Sequence, residues 1–189
     1  MQFFDNLYEI FIQPEELFRK LNDENNSPRL MYAIITISIV NIVFFTLKYE
    51  FSSESAGGYL PLLIMSCLWG VVLLYIIGGF FNFLMKTFGK DGKMKQIMCA
   101  LSYCAFPLVL FAPIQLLKQF GQTGYFFSVV FEACIYFWSI YLMAKSIEIT
   151  YDLSFSRAVT VILLPVICSF ISLFWLIEFI SKMVYIFKI

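Results

Sequence analysis

The stretch KTFGKDGKMKQIMCALSYCAFPLVLFAPIQLL, Lys86 to Leu117, decides the fold class. Its first ten residues carry Lys86, Lys90, Lys93 and Lys95, two glycines and a single acid, Asp91. The next twenty-two, Gln96 to Leu117, carry no charge. At a rise of ~1.5 Å per residue, that run is long enough as a helix to cross a hydrocarbon core ~30 Å thick. The basic loop beside it sets orientation, because Lys- and Arg-rich loops stay on the cytoplasmic side.

Working outward, four more apolar runs have spanning length: Leu30–Leu47, Tyr59–Met85, Tyr125–Ala144 and Ala158–Phe179. Pro107 and Pro113 fall inside the Gln96–Leu117 run and Pro165 inside the last, so kinks are expected there. Gly78-Gly79 is a candidate bend in the second. Tyr49–Gly58, Gln119–Gly124 and Lys145–Ser156 read as connecting loops, the last continuing the fourth helix at its start. The predicted fold is an all-α integral membrane bundle of five transmembrane helices (residues 30–189), preceded by an amphipathic segment (residues 1–29).

That leading segment holds six acids and no unbroken apolar run, so it does not read as a signal peptide. Phe3, Phe4, Leu7, Ile10 and Phe11 share one helical face. Pro14 suits the first position of a second helix, with Glu15 and Glu16 in the first turn and Arg19 and Lys20 at the far end, as the helix dipole favours. Leu17, Phe18 and Leu21 form its apolar face. Such a segment lies in the interface or packs under the bundle.

Composition agrees: 61% of the residues are hydrophobic, against roughly half in soluble domains. The net charge of zero offers no field for nucleic acid, so no nucleic-acid partner is expected. With no histidine in the chain, imidazole bases and ligands are excluded. The five cysteines all lie in apolar runs without a CxxC pair, and read as small packing residues. No metal and no cofactor is expected. Taken over alternate sides, nine Lys and Arg fall with the N-terminal segment, the second loop and the fourth loop; four (Lys48, Lys118, Lys182, Lys188) fall opposite. This bias places the N-terminus inside and the C-terminus outside.

Catalytic motifs do not hold up. Gly89-Lys-Asp-Gly-Lys93 lacks the glycine and the Ser or Thr of a phosphate loop, since Thr87 and Met94 occupy those positions. Glu15-Glu16-Leu-Phe-Arg19 matches part of an intramembrane protease signature whose chemistry needs histidines. There is no GxSxG or HExxH, and Asp91 and Asp152 fall in predicted loops. The chain is not expected to be an enzyme. Lys86, Lys90, Lys93 and Lys95 read instead as contacts for lipid headgroups.

Glu132 is the sharpest anomaly, a charge about eight residues into the fourth span. Insertion scales put such a charge at roughly 3 kcal/mol, so it is expected to face protein or water. Ser128, Tyr136 and Ser139 extend it into a polar stripe on one helix face. Asn41 in the first span, and Tyr75, Gly79 and Asn82 on one face of the second, are candidate partners. The stripe is either a proton or substrate site or a hydrogen-bonded structural glutamate. Tyr103 and Pro107, on a shared face with Cys99, read as a kink and close packing or as a further functional pair. Ser66 and Gly70 give the second helix a small-residue packing face, and Glu178 with Lys182 forms an i,i+4 pair.

Three stretches together resemble the Yip family, the Ypt/Rab-interacting multi-span membrane proteins, in its prokaryotic branch. They are QPEELFRKL (Gln13–Leu21), GKDGKMKQIMCALSYCAFPLVL (Gly89–Leu110) and FWSIYLMAKSIEITYDLSFSRAVTVILLPVI (Phe137–Ile167). Their order and spacing carry the resemblance over nearly the whole chain. It implies five helices, a cytoplasmic N-terminus and the prokaryotic cytoplasmic membrane. The Asp-Leu-Tyr-Gly-Pro motif of the eukaryotic branch is absent, Tyr151-Asp152-Leu153 not matching it, so binding of a small GTPase is left in doubt.

Two functions follow as expectations. The first is a non-enzymatic adaptor or organiser of membrane lipids and proteins, with lipids, other membrane proteins or a second copy as partners. The second is a small transporter built around the Glu132 stripe. A polar cavity reaching Glu132 from one side would favour transport; a dry interior packed with phenylalanine would favour the organiser. Twenty-three phenylalanines lean towards the dry interior.

Overall fold

The computed structural model describes residues 2–22, 29–49 and 56–187, which are mostly helical with no strand among them. Two short helices open the chain, α1 (Gln2–Ile12) and α2 (Pro14–Asn22). Next come α3 (Arg29–Tyr49) and α4 (Ala56–Thr87). Helix α5 (Met94–Cys104) gives way to a 3-10 turn (Phe106–Leu110), then α6 (Phe111–Gln115) and a second 3-10 turn (Leu116–Phe120). The long helices α7 (Gly121–Tyr151) and α8 (Phe155–Phe187) complete it.

Among the described residues, four helical stretches are long and apolar enough to cross a membrane: Leu30–Leu47, Tyr59–Thr87, Met94–Tyr151 and Phe155–Ile180. Along them large apolar side chains point outward, among them Trp69, Phe83, Phe170, Phe174 and Trp175. A soluble monomer rarely exposes an apolar patch above a few hundred Å². Lipid is the solvent in which this surface is stable, and the protein is an integral, multi-pass membrane protein.

The third stretch holds 58 residues, which would measure about 87 Å as one rod. It is instead a hairpin. Gln115 meets Glu132, Phe111 meets Tyr136, Cys104 meets Ser146 and Lys90 meets Asp152, so the partners step apart in opposite directions from a common apex. The apex is Gly121, whose φ of 72° lies in the region that favours glycine. Gly124 allows the arms to close, since a Cβ there would collide with the Leu117 carbonyl oxygen.

The first arm is broken, not simply kinked. Pro107 has no N–H to give to the carbonyl of residue 103, and α5 stops at Cys104. A 3-10 turn begins with Pro107 in its first positions, and the Leu108 N–H is drawn to the Ala105 carbonyl at 3.1 Å. Two boundaries also move. Helix α4 starts at Ala56, so Gly57 and Gly58 are helical; the loop residues 50–55 lie outside the described residues, as does the run 23–28. Helix α7 runs to Tyr151, so the predicted Lys145–Ser156 loop shrinks to three residues. Asp152 caps α7 at φ 49°, and the Leu153 N–H reaches back to the Glu148 carbonyl at 3.0 Å. Gly78, within the uninterrupted α4, is a point of close approach, where a Cβ would collide with Met98 of α5.

The ends of the spans gather on one side of the molecule. Leu30, Met85, Ile97, Tyr151, Leu153 and Ala158 belong to one packed cluster. Helices α1 and α2 lie against this end. Ile10, Leu17, Phe18 and Leu21 are buried with Ala33 of α3, Cys99, Ala100, Tyr103 and Cys104 of α5, and Leu142 of α7. Of the apolar face read from residues 3–21, Phe4 is 74% exposed and faces away from the bundle core, whereas Leu7 packs beside the cluster and Ile10, Leu17, Phe18 and Leu21 are buried. Each such side chain contributes ~1.5–3 kcal/mol relative to exposure.

Candidate functional sites

Two polar sites stand at opposite ends of the hairpin. The first surrounds Glu132. Gln115 donates from Nε2 to its Oε1 at 3.0 Å, and the Ser128 hydroxyl donates to the same oxygen at 2.9 Å. The Lys118 ammonium lies 3.1 Å from that oxygen, with the two side chains 32% and 23% exposed. Helical side chains lean towards the N-terminus, so the carboxylate leans towards the apex and the lysine. Lys118 also sits 5.8 Å from the Tyr125 ring centroid. Partners that neutralise Glu132 thus come from its own hairpin.

This corrects the expected partners in the first and second spans. Asn41 donates to the Ile37 carbonyl one turn back at 2.8 Å and packs on Gly70, where a Cβ would strike its amide. Asn82 lies at the other end of α4, near Lys86 and Gly92. Tyr136 leaves the polar stripe too. Its ring packs edge-on against Phe111 at 4.9 Å, and Phe111 packs on Phe44 of α3 at 5.6 Å. Ser139 Oγ has no hydrogen-bond partner. The stripe therefore divides into a charged cluster, Ser128 with Glu132, and an aromatic link one turn deeper. Gln115 and Lys118 were missed by sequence reasoning. Their signal was the apex glycines, which set the register of the second arm against the first.

The second site is the basic end. Lys145 pairs with Glu15 of α2 at 2.8 Å and with Glu148 at 3.2 Å. Lys93 donates to the Asn22 side chain at 3.5 Å, and Lys90 to the Asp152 carbonyl at 3.3 Å. Lys86 lies against Gly92, and Lys95 is exposed. Asn6 of α1 donates to the Tyr103 hydroxyl at 3.2 Å; Tyr103 is fully buried, and Pro107 is buried below it. Lys20 and Glu9 bind α2 to α1. Among the described residues, no group of three or more His, Cys, Asp and Glu side chains is arranged to hold a metal ion.

The Lys145 hydrogen bond and charge hold the Glu15 carboxyl below its ordinary range. A depressed folded value stabilises the docked state above the unfolded carboxylate range, and that stabilisation is lost as pH falls through the folded value. The small Glu15 contribution to α2 docking is therefore expected to be present from neutrality to about pH 5 and lost below about pH 4, with the buried cluster still holding most of the contact. The mobility of a spin label at exposed Ile12 should rise over that interval. Glu15→Gln should remove the pH-dependent step, and an unchanged acid transition in that variant would exclude Glu15 as its cause.

A docked N-terminal pair of helices, a basic loop and apolar helices that need lipid define a multi-pass helical membrane protein. The Yip1 domain model matches residues 8–177, from within α1 to within α8, and the chain belongs to that family. No curated protein and no solved structure matches it.

Proposed function

We propose that this chain is a non-enzymatic organiser of membrane lipid and protein, working from its basic, cytoplasmic end. The observation that carries this reading is the docking of α1 and α2. Two amphipathic helices are fixed by a buried cluster and by Glu15–Lys145 beside four loop lysines, which builds a folded recognition face at the level of lipid headgroups. In this reading each arm of the 94–151 hairpin crosses the bilayer, giving five passes, with the N-terminus inside and the C-terminus outside. The nine-to-four basic bias supports that orientation. With the native cysteines replaced, a cysteine at Gly58 should react with an impermeant thiol reagent in intact cells, while one at Asp91 should not. The reverse pattern would invert the topology.

Transport remains the second reading, supported by a single observation, the partly exposed Lys118–Glu132 pair. Among the described residues, one cleft is lined by Phe44, Phe45, Ser66 and Trp69 and another by Met85, Lys90 and Arg157. One turn along α7 from Glu132, the Tyr136 ring packs on Phe111, and Phe111 packs on Phe44. Reconstitution separates the two readings. An organiser should change vesicle size or anionic-lipid clustering in proportion to protein density, without solute flux. Flux that disappears in Glu132→Gln would establish transport instead.

A further inference from the structure

A cleft of about 330 Å³ opens at the basic end between the last turn of α4, the 88–90 loop and the first turns of α8. Its walls have two characters. Met85, Phe88, Leu153 and Val161 are apolar, while Lys90, Arg157 and Thr160 are polar. We propose that this cleft binds one anionic glycerophospholipid, its phosphate held by Lys90 and Arg157 and its first methylenes laid along the apolar wall. The proposal rests on the organiser reading and gives that reading a specific ligand.

Position argues for a lipid. The candidate span Tyr59–Thr87 ends at this cleft, and the span Phe155–Ile180 begins at it. A cleft where two spans end together lies at headgroup level. Size points the same way, because ligand clefts run from roughly 300 to 1,000 Å³ and this one suits a headgroup more than a whole lipid.

Charge supplies the selectivity. Among the described residues no carboxylate forms an ion pair with Arg157 or Lys90. Lys90 spends one donor on the Asp152 carbonyl, which orients its ammonium and leaves two further N–H groups. The Arg157 guanidinium is exposed on the first turn of α8, and a guanidinium can grip a phosphate through two parallel hydrogen bonds. Thr160 is already committed to the Ser156 carbonyl at 2.9 Å and contributes shape. The other basic loop residues are placed differently: Lys93 is turned to Asn22, and Lys86 and Lys95 do not line the cleft.

The test is native mass spectrometry of the full chain in detergent, titrated with phosphatidylglycerol or phosphatidylcholine. One phosphatidylglycerol should be retained in preference to phosphatidylcholine. The double variant Lys90→Gln/Arg157→Gln should weaken its retention by roughly tenfold or more, whereas Lys86→Gln/Lys95→Gln should barely change it. Thr160→Trp keeps every charge and fills the cleft, so it should also lose the lipid. Equal losses from both lysine-containing pairs would mean a diffuse basic surface and overturn the site. Equal retention of phosphatidylcholine would do the same. Glycerol phosphate at millimolar concentration should not compete; full competition would assign the cleft to a free phosphate ester. Vesicle remodelling is a separate readout, so loss of lipid selectivity with remodelling intact removes the cleft and leaves the organiser reading standing.

Discussion

Phe18→Ala is expected to release α1 and α2 from the bundle while the spanning helices stay folded. Phe18 is 1% exposed and belongs to the cluster that joins α2 to α5 and α7. A buried Phe→Ala change costs ~3–5 kcal/mol, because the lost contacts and the cavity both count. The polar ties at this end cannot offset that loss. Asn6–Tyr103 is a single hydrogen bond and is worth about 1 kcal/mol. Glu15 is 49% exposed in its pair with Lys145, and solvent-exposed pairs contribute little. Opening should therefore be local, and amide exchange over residues 7–21 should accelerate by ~100-fold or more, at about 1.4 kcal/mol per tenfold. Exchange in the middle of α7 should not change. Unaltered protection of residues 7–21 would mean that something other than this cluster holds the helices down.

The existence of apolar helices was legible because hydropathy reports burial in lipid directly, residue by residue. The apolar faces of α1 and α2 were legible in part for a related reason: Leu7, Ile10, Leu17, Phe18 and Leu21 keep helical spacing and meet the bundle, while Phe4, on the same predicted face, is exposed. Boundaries were less legible where tertiary contact decides them. Residues 145–151 look like a loop because they are polar, yet Ser146, Ile147 and Thr150 are buried and Lys145 is neutralised by a helix far away in sequence. The fragmentation of the first hairpin arm depends on how Pro107 and Pro113 share a short run, and sequence spacing predicts only that some disturbance occurs there.

Glu132 was legible as an anomaly, but its partners were not. Helical periodicity puts Ser128 beside it, since both lie on one helix face. It cannot put Gln115 and Lys118 there, because their approach depends on the register of two arms closed by Gly121 and Gly124. Lys118 also reads from sequence as a loop charge on the outer side. In the folded chain its long side chain reaches back to the carboxylate, so the two oppositely charged residues are one neutralised unit.

That unit makes the second large prediction. Glu132→Leu should be strongly destabilising, by about 3 kcal/mol, because it strips Lys118, Gln115 and Ser128 of a shared acceptor in one step. Glu132→Gln keeps an oxygen for the Ser128 hydroxyl and the Gln115 amide and loses the charge pair, so it should cost about half as much. Lys118→Leu leaves the carboxylate with two neutral donors and should fall between the two. Because the penalty of each single leucine variant is mainly an orphaned charge, the double variant Lys118→Leu/Glu132→Leu should unfold at a higher temperature than Glu132→Leu alone. A coupling of ~1–3 kcal/mol is the range expected for side chains in direct contact. Thermal unfolding in one detergent, followed by tryptophan fluorescence, gives the order of the four variants and the parent. Strictly additive losses would show that Lys118 and Glu132 do not act as a pair. A Glu132→Gln protein as stable as the parent but inactive in a reconstituted flux assay would move this carboxylate from architecture to transport.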